Sequence, residues 1–444
     1  MKQVYFRQRA ASHSISRFSP CLRMIERPLR VLVVLSHVVQ YAVPGFRQLA
    51  LDERIEFHVA YCNLRGAEPG LDPEFGAVVR WDVPLLDGYS WTHIPNRGSG
   101  AERFFGLFNP GLWKFIRQGK YDAVICYTGY LRASFWISYL AAKSSGARFL
   151  FGNDSITLFP RDGRSWKATV KKNLWPRLFR LSDQVLVPSS ASRDLMLTLG
   201  LKPEHITLVP IVIDNEWWIR QSSLIHRDVV RSFWGATPED SVVLFCAKLQ
   251  PWKRPMDLLR AFAQARLPNT LLVFAGDGPM RNELETEAKN LSIDSRVRFL
   301  GFVNQSQLPA VYTSADVMVL PSEFEPFAVV VNEAMCCGCP VIASHAVGSA
   351  RDLIAPVQPG FVYPSGDVSQ LAAILKRQLP GRAALNELGA AFRMRMRSWS
   401  LTQHVAALME AVQTAVARNK STLLADNRHT ARQPDPPASQ KSRE

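Results

Sequence analysis

The sequence lacks the features that mark secreted, membrane-spanning or disulfide-bonded proteins. Its seven cysteines form no even, regularly spaced framework, which favours a reducing cytoplasm. No uninterrupted apolar run reaches the roughly 18 residues that a membrane-spanning helix needs. The amino-terminal stretch has no apolar signal core before Pro28, so we do not expect secretion. These absences together predict a cytoplasmic protein.

A zinc site is also missing from the sequence. Cys336, Cys337 and Cys339 lie close together, but no second Cys/His pair stands at zinc spacing. We interpret this cluster as a tightly packed helix end that leads into a buried strand. We therefore expect neither a metal ion nor a bound cofactor.

The net charge of +15 is a local property of three basic segments. Residues 1–30 and 161–180 each hold seven Lys or Arg residues and one acidic residue, and residues 376–397 hold six against one. The rest of the chain is close to neutral. A nucleic-acid-binding protein would carry basic and aromatic side chains along one binding face. The basic segments instead lie mostly outside the polar loops described below, which disfavours that class of protein.

Short apolar runs alternate with longer helical stretches through most of the chain. In the first half, the expected strands are Arg30–Leu35, Ile55–Tyr61, Ala123–Cys126, Arg148–Phe151, Gln184–Val187 and Ile206–Val209. In the second half, they are Val242–Cys246, Thr270–Ala275, Val297–Leu300, Val317–Leu320, Val341–Ala343 and Phe361–Tyr363. Continuous rather than alternating apolar runs are typical of parallel strands that are buried on both faces. The sequence thus predicts an α/β protein with two doubly wound domains facing a cleft.

We divide the chain into five segments. Residues 1–28 are expected to form a flexible basic arm, residues 29–215 the first domain and residues 216–396 the second domain. Residues 397–418 are expected to form a helix, and residues 419–444, rich in Pro, Ser, Lys and Asp, a disordered tail. In doubly wound sheets, ligands bind beyond the carboxyl ends of the strands, so the site is expected directly after the apolar runs.

Two carboxylates, Glu325 and Glu333, follow the expected strand Val317–Leu320 and are separated by seven mostly apolar residues. Glu325 lies in a turn-like stretch, and Glu333 lies within a predicted buried helix. Pro326 is expected near the first turn of that helix and Gly338 just past its end. Because a carboxylate is costly to bury alone, the pair needs partners or a ligand with many donors. Sugar and ribose hydroxyls would supply such donors.

The other strand ends add cations and glycines. Lys248 and Lys253 flank a proline-containing turn after Val242–Cys246 and could converge on one anion; a solvated surface loop is the alternative. The next strand is followed by the run Gly276–Pro279, a tight turn that lets a backbone approach a ligand closely. Amide donors at the start of the helix near Pro326 suit a phosphate or sugar oxygen. This ordered clustering predicts a single site.

The carboxyl-terminal half resembles the retaining glycosyltransferases of the family 4 type, which have an E-x7-E motif and the GT-B architecture of two Rossmann-like domains. The matching segments are Ala247–Leu249 with Lys253, Gly276–Pro279, Gly301–Val303, Pro321–Phe327, Glu333–Met335 and Gly338–Ser344. The resemblance implies a carboxyl-terminal helix that crosses back to the first domain. It also implies a hexosyltransferase that moves a sugar from a nucleoside-diphosphate sugar to an acceptor, with retention at the anomeric carbon.

The same resemblance implies roles for individual residues. Two lysines would hold the donor diphosphate, and the backbone near Val303 would contact the base. Glu325 would contact the donor sugar, and Glu333 the ribose hydroxyls. Phe327 and Ala328 would offer amides to phosphate or sugar, although Ala328 stands where relatives usually have Gly. The residues assigned to donor binding are Lys248, Lys253, Gly278, Val303, Phe327, Ala328 and Glu333.

The first domain, which fits the family more loosely, offers two further candidates. His37 follows the first expected strand, where the family has a loop near the donor phosphate; an ordinary polar loop residue is the alternative. Asp154 follows the strand Arg148–Phe151, and helix capping is its alternative. With Glu325, these two residues are the candidate catalytic residues. Thr128 lies close to where many relatives have a histidine.

These residues meet the needs of glycosyl transfer. The reaction passes through an oxocarbenium-like state while negative charge builds on the leaving diphosphate. Cations and amide donors stabilise that charge, and the absence of an Asp-x-Asp motif fits a site that needs no metal ion. The expected acceptor is a saccharide or lipid-linked saccharide, as in cell-surface polysaccharide synthesis. The alternatives are a GT-B sugar-nucleotide epimerase or phosphorylase, and a catalytically inactive relative.

Residues 161–180 contain a predicted basic helix. Apolar residues recur every four positions at Trp166, Val170 and Leu174, and lysines occupy the other faces. Such a helix could rest on anionic lipid at the inner face of the membrane, which would suit a lipid-linked acceptor. The alternative is a surface helix that packs one face on the domain.

Overall fold

The computed structural model describes residues 27–72, 77–160, 163–379 and 381–430. The predicted basic arm, apart from residues 27 and 28, therefore lies outside the described residues, as do residues 431–444 of the predicted tail.

The first domain is built on a seven-stranded parallel sheet. The strands of this domain are β1 Leu29–Leu35, β2 Ile55–Tyr61, β3 Gly70–Asp72, β4 Ala77–Val79, β5 Trp91–His93, β6 Ala123–Cys126, β7 Arg148–Gly152, β8 Gln184–Val187 and β9 Ile206–Leu208. The sheet order is β5-β2-β1-β6-β7-β8-β9, and β3 and β4 form a separate antiparallel pair. The helices are α1 Val43–Ala50, α2 Gly111–Gly119, α3 Ala133–Ser144, α4 Ser165–Phe179 and α5 Ser190–Thr198.

The second domain is built on a six-stranded parallel sheet. Its strands are β10 Ser241–Cys246, β11 Thr270–Ala275, β12 Val297–Gly301, β13 Val317–Leu320, β14 Val341–Ser344 and β15 Val362–Tyr363, in the order β12-β11-β10-β13-β14-β15. Its helices are α6 Asn215–Ser223, α7 Arg227–Phe233, α8 Pro255–Ala265, α9 Arg281–Asn290, α10 Leu308–Ser314, α11 Val329–Cys336, α12 Val368–Gln378 and α13 Arg382–Arg395. In both sheets the strand order reverses in the middle, between β1 and β6 and between β10 and β13, which is where such folds bind ligands.

The predicted fold class is confirmed: both domains are Rossmann-like α/β units. Each of the predicted strands is present, with its ends within one residue of the expected positions. Continuous apolar runs identify these strands because both faces of each sheet are covered; every residue of Val317–Leu320, for example, is buried. The short strands β3, β4 and β5 were not predicted, since none of them lies in a long apolar run.

The carboxyl-terminal helix α14, Leu401–Thr430, crosses back and packs on the first domain, as predicted. Val405, Met409 and Val412 are buried in the core beneath β1 and β2. The described helix includes residues 419–430, the first part of the predicted tail, and no proline or glycine occurs among these residues.

The boundary between the domains lies slightly before the predicted residue 215. Val212 and Ile213 already pack into the core of the second domain. Within the parts of the chain that the structure describes, no helix is both long and apolar enough to cross a membrane.

Candidate functional site

The loops after β13 and β14 fix the position of Glu325 at the carboxyl edge of the second sheet. Glu325 forms an isolated bridge with Val347, and the amide of Gly348 donates to the Glu325 carbonyl at 2.9 Å. A side chain at position 348 would collide with the Pro326 carbonyl, so only glycine allows the two loops to approach this closely. Glu325 is therefore held by backbone contacts on a rigid edge, in the turn that the sequence predicted.

Lys253 and Glu325 form an ion pair in this site. Lys253 ends the short 3-10 turn that precedes α8, and its Nζ donates to Glu325 Oε2. Both side chains are mostly buried, at 18% and 11% exposure, where a charge-assisted hydrogen bond is stronger than at the surface. The amide of Glu323 donates to the Trp252 carbonyl at 2.9 Å and so ties the two loops together. An anion entering the site would compete with Glu325 for the ammonium group.

The lysine loop, residues 247–253 after β10, packs against the glycine turn, residues 276–279 after β11. Lys248 is half-buried in this loop, and the neighbouring Leu249 amide donates to the Asp277 carbonyl at 2.9 Å. Gly278 has a φ of 154°, and a side chain there would lie 2.7 Å from the Leu249 carbonyl oxygen. The requirement for glycine at position 278 thus has a structural explanation: it lets the two loops touch.

Val303 lies at the same edge, beyond the end of β12. The carbonyl of Gly301, two residues earlier, accepts from the Gly276 amide at 2.8 Å, so the loop after β12 is joined to the glycine turn. Val303 is partly buried against the core of the second domain. The structure thus places this residue beside the loops that carry the lysines.

Glu333 lies in the second turn of α11, and its main contact is Tyr312 of α10. The Tyr312 hydroxyl donates to Glu333 Oε2 at 2.7 Å and lies 3.2 Å from the Cys246 sulfur. Burial raises the pKa of Glu333 from its ordinary value of 4.5 to about 7, and the hydrogen bond from Tyr312 opposes that shift. The sequence did not point to Tyr312, which is 21 residues upstream of its partner. The signal in the sequence was a tyrosine directly after the apolar residues Ala310 and Val311, because a buried tyrosine hydroxyl usually has a hydrogen-bond partner.

The start of α11 differs from the prediction. The helix begins at Val329, so Pro326 is outside it rather than in its first turn. Ala328, the N-cap, has φ 77° and ψ 81°, a left-handed conformation that favours glycine. This backbone turns the chain before the helix can begin. Phe327 is buried with its ring stacked on Trp399 at 6.3 Å between centroids, so only its backbone can face a ligand.

The end of α11 confirms the interpretation of the cysteine cluster. The helix ends at Cys336, Gly338 follows with φ 73°, and β14 begins shortly afterwards. Cys336, Cys337 and Cys339 are buried and free. In the described ranges, no group of three or more His, Cys, Asp or Glu side chains is arranged to hold a metal ion.

His37 follows β1 in the first domain. Its Nδ1 lies 2.8 Å from the Ser36 hydroxyl. Burial, and then the positive charge of Arg65, lower the pKa of His37 to about 4, so its imidazole is neutral at physiological pH. Thr128, at the end of β6, is buried with its hydroxyl 2.9 Å from the Cys126 sulfur, so it points into the core rather than the cleft.

Asp154 follows β7, and helix capping does not explain it. The next helix, α4, begins only at Ser165 and has Arg164 as its N-cap. Asp154 is exposed, and its charge adds to the effect of burial in raising the pKa of Tyr41 to about 12. Tyr41 itself packs against the core of the second domain. The loop that carries Asp154 therefore lies close to the boundary between the domains.

The two domains contact each other at two places. Near Asp154, the Ile156 side chain approaches Gly348 across the boundary, and the Ser190 amide donates to Asp352 Oδ2 at 2.8 Å. Beyond Val303, the Ser306 amide donates to Asp82 Oδ1 at 3.2 Å. The structure thus brings Glu325 and its loop opposite the Asp154 loop. The contacts of His37 with Ser36 and Arg65 lie within the first domain.

Two family models match the chain. Residues 227–394 match glycosyl transferases group 1, and residues 49–217 match Glycosyltransferase Family 4. An uncharacterized glycosyltransferase of Methanocaldococcus jannaschii is 40% identical over 131 residues, which cover 29% of this chain and 34% of that protein. A D-inositol 3-phosphate glycosyltransferase of Salinispora tropica is 35% identical over 195 residues, covering 41% and 40%. The chain thus spans less than half the length of these curated relatives.

Solved structures show the same architecture over most of the chain. Anabaena HepE in complex with UDP and glucose has a TM-score of 0.65 at 20% identity, covering 87% of this chain and all of that one. A glycosyltransferase from Rickettsia africae has a TM-score of 0.67 at 14% identity, covering 88% and 99%. At these identities the likeness shows the fold. The two family models and the paired Rossmann-like domains together support a GT-B glycosyltransferase of group 1.

Proposed function

We propose that this protein transfers a hexosyl group from a nucleoside-diphosphate sugar to a saccharide or lipid-linked saccharide acceptor, with retention and without a metal ion. The proposal includes a role in cell-surface polysaccharide synthesis and a cytoplasmic location. The observation that carries it is the edge of the second sheet, where Lys253, Glu325 and Glu333 lie on three adjoining loops and helices.

The two cations of the lysine loop suit the leaving diphosphate. When the bond between the anomeric carbon and the phosphate oxygen breaks, its electron pair goes to that oxygen and negative charge grows there. Lys253 would leave Glu325 and bind this charge, and Lys248 lies on the same loop. Amides at the start of α11, near Ala328, add donors to the same anion.

The carboxylates suit the neutral parts of the donor. Glu325, once released from the ammonium, would accept from sugar hydroxyls and stabilise positive charge on the ring. Glu333 would accept from the ribose hydroxyls, with Tyr312 holding its other oxygen. The backbone near Val303 would contact the base.

Retention follows if the acceptor attacks the face from which the diphosphate leaves. The new bond forms between the acceptor oxygen and the anomeric carbon, and the acceptor proton passes to the departing phosphate oxygen. His37, neutral because of its lowered pKa, and Asp154 are the first-domain groups that we propose to position the acceptor.

The first test is a panel of nucleoside-diphosphate sugars in a thermal-shift assay. The true donor should raise the melting temperature by binding linkage. UDP-glucose is the first compound to try, because a structural neighbour was solved with UDP-glucose bound. NMR of the product then reports the anomeric configuration, and transfer in the presence of a chelator tests metal independence.

Two variants test the site directly. Lys253→Ala and Glu333→Ala should each weaken donor binding about tenfold or more while leaving the fold intact, because each removes a charge-assisted hydrogen bond. Lys376→Ala, an exposed lysine of α12, is the matched control. Near-unchanged donor affinity and donor hydrolysis in both site variants would refute the assignment.

A further inference from the structure

The helix α4 presents an apolar stripe to solvent. Trp166, Val170 and Leu174 are exposed to 60%, 48% and 45%. Their four-residue spacing places them one above another, over roughly 12 Å of helix. Phe159, shortly before the helix, is exposed to 65%. Such a row of large apolar side chains on the outside of a domain marks an interaction surface.

Other residues pack α4 onto the domain. Trp175, Leu178 and Phe179 are buried, at 3%, 4% and 0% exposure. The Trp175 indole nitrogen donates to the Tyr130 hydroxyl at 2.8 Å, and the Phe179 ring stacks on Phe151 with centroids 5.5 Å apart. One face of α4 therefore packs on the domain, as the alternative interpretation has it, and the stripe lies outside that face. Trp175 and Phe179, near the end of α4, are buried against the domain, and the stripe faces solvent.

The surroundings of the stripe are strongly basic. Residues 163–182 contain six Lys or Arg residues and no acidic residue. The Lys167 ammonium lies 5.9 Å from the centre of the Trp166 ring, beside the stripe. Lys172 and Arg177 are exposed on the same helix. Lysine and arginine stems can lie along apolar surface while their charged heads reach phosphates above it.

We propose that the outward face of α4 docks on an anionic lipid surface. The apolar stripe would enter the boundary between headgroups and acyl chains, with the Trp166 ring at that boundary, and the basic residues would bind lipid phosphates. Charge complementarity favours lipid over a second copy of this chain. A two-fold contact between copies would place the same six positive charges against each other. The docking surface does not depend on the proposed donor site, although it would bring a lipid-linked acceptor to the first domain.

Flotation of the full chain with vesicles tests the apolar stripe. We expect binding to vesicles of phosphatidylcholine with phosphatidylglycerol, and little binding to phosphatidylcholine alone. Trp166→Ser combined with Leu174→Ser should weaken binding at least tenfold. Phe233→Ser, an apolar residue of α7 that is 83% exposed, should have no effect. Equal binding by the double variant and the wild type would overturn the proposal.

A second pair of variants tests the charges. Lys167→Glu combined with Lys172→Glu should weaken binding to the anionic vesicles by tenfold or more and reduce its salt dependence. Lys376→Glu, on the second domain, is the matched control. Binding that is unaffected by the double charge reversal would also overturn the proposal.

The remaining outcomes identify other occupants. Light scattering that shows a dimer, converted to a monomer by the stripe variants, would overturn the proposal in favour of a second copy. Binding to a DNA oligonucleotide but not to vesicles would overturn it in favour of nucleic acid. A thermal shift with UDP, measured on each variant, reports whether the fold and the donor site are intact. Because flotation needs no donor, a failure of docking is distinguishable from a failure of the proposed function.

Discussion

Replacing Tyr312 by Phe should change how donor binding depends on pH. The substitution keeps the aromatic ring between α10 and α11 and removes only the hydroxyl that donates to Glu333 Oε2 at 2.7 Å. The thiols of Cys246, Cys336 and Cys337 also surround Glu333, but burial raises their pKa values, so they stay neutral. Tyr312 is thus the group that holds the Glu333 carboxylate in its charged form.

The size of the effect follows from the hydrogen bond. A hydrogen bond to a charged group contributes roughly 1.5–3 kcal/mol, and each 1.36 kcal/mol corresponds to a tenfold change. Losing this bond should therefore move the pKa of Glu333 from about 7 to about 8 or above. If the ribose hydroxyls bind only the carboxylate, donor affinity at pH 7 falls at least about fivefold, and the loss shrinks as the pH rises toward about 9.

The assay is donor affinity by calorimetry from about pH 6 to about pH 9. Wild-type affinity should rise with pH and level off above about 7, and the Tyr312→Phe curve should be displaced upward in pH. Tyr363→Phe is the control, because the buried Tyr363 hydroxyl has no hydrogen-bond partner among the residues that the structure describes. A Tyr312→Phe curve that coincides with the wild type would refute the role of the hydroxyl. A loss of equal size at every pH would show a purely structural role.

Three further substitutions have expected outcomes. Ala328→Gly should stabilise the protein by about 0.5–1 kcal/mol, because it relieves a left-handed alanine at φ 77°; Ala334→Gly, inside α11, should destabilise it, and urea unfolding distinguishes the two. Glu325→Gln should tighten UDP binding by freeing Lys253 and slow sugar transfer at least about tenfold; weaker UDP binding would contradict the competition inferred from the ion pair. Glu333→Gln should raise the free energy of unfolding by roughly 3 kcal/mol above pH 7 and change it little near pH 4.5. The reason is that a carboxyl group with a raised pKa makes the folded state lose stability as the pH rises from 4.5 to 7. An equal gain at both pH values would contradict this.

The sheets were predictable because their signal is local. A strand buried on both faces must be apolar along its whole length, so Val242–Cys246 or Thr270–Ala275 can be recognised without knowing its neighbours. The end of α14 was less predictable. Polar residues from 419 onward indicate disorder by composition, yet no proline or glycine interrupts the helix in residues 419–430.

The closeness of the candidate residues was predictable from sequence, and the hydrogen bonds between their side chains were not. Strand ends of a parallel sheet meet at one edge, so Lys253 and Glu325 could be placed in one site from their positions alone. That their side chains bond to each other depends on the fold of two loops that are 72 residues apart in sequence. The hydrogen bond between Tyr312 and Glu333 likewise depends on the fold. So does the exposure of the stripe on α4, because Trp175 and Phe179 occupy the buried face of that helix.

The two carboxylates of the E-x7-E segment differ chemically because of their partners. Glu325 is paired with the Lys253 ammonium, so an incoming phosphate can exchange with it for the same cation. Glu333 has a neutral phenol as its partner in apolar surroundings, where an arriving anion would find no cation to bind. Neutral hydroxyl donors are the ligands that would offset the cost of burying the Glu333 carboxylate. The two environments therefore favour a phosphate beside Glu325 and Lys253, and a neutral ligand with hydroxyl groups beside Glu333.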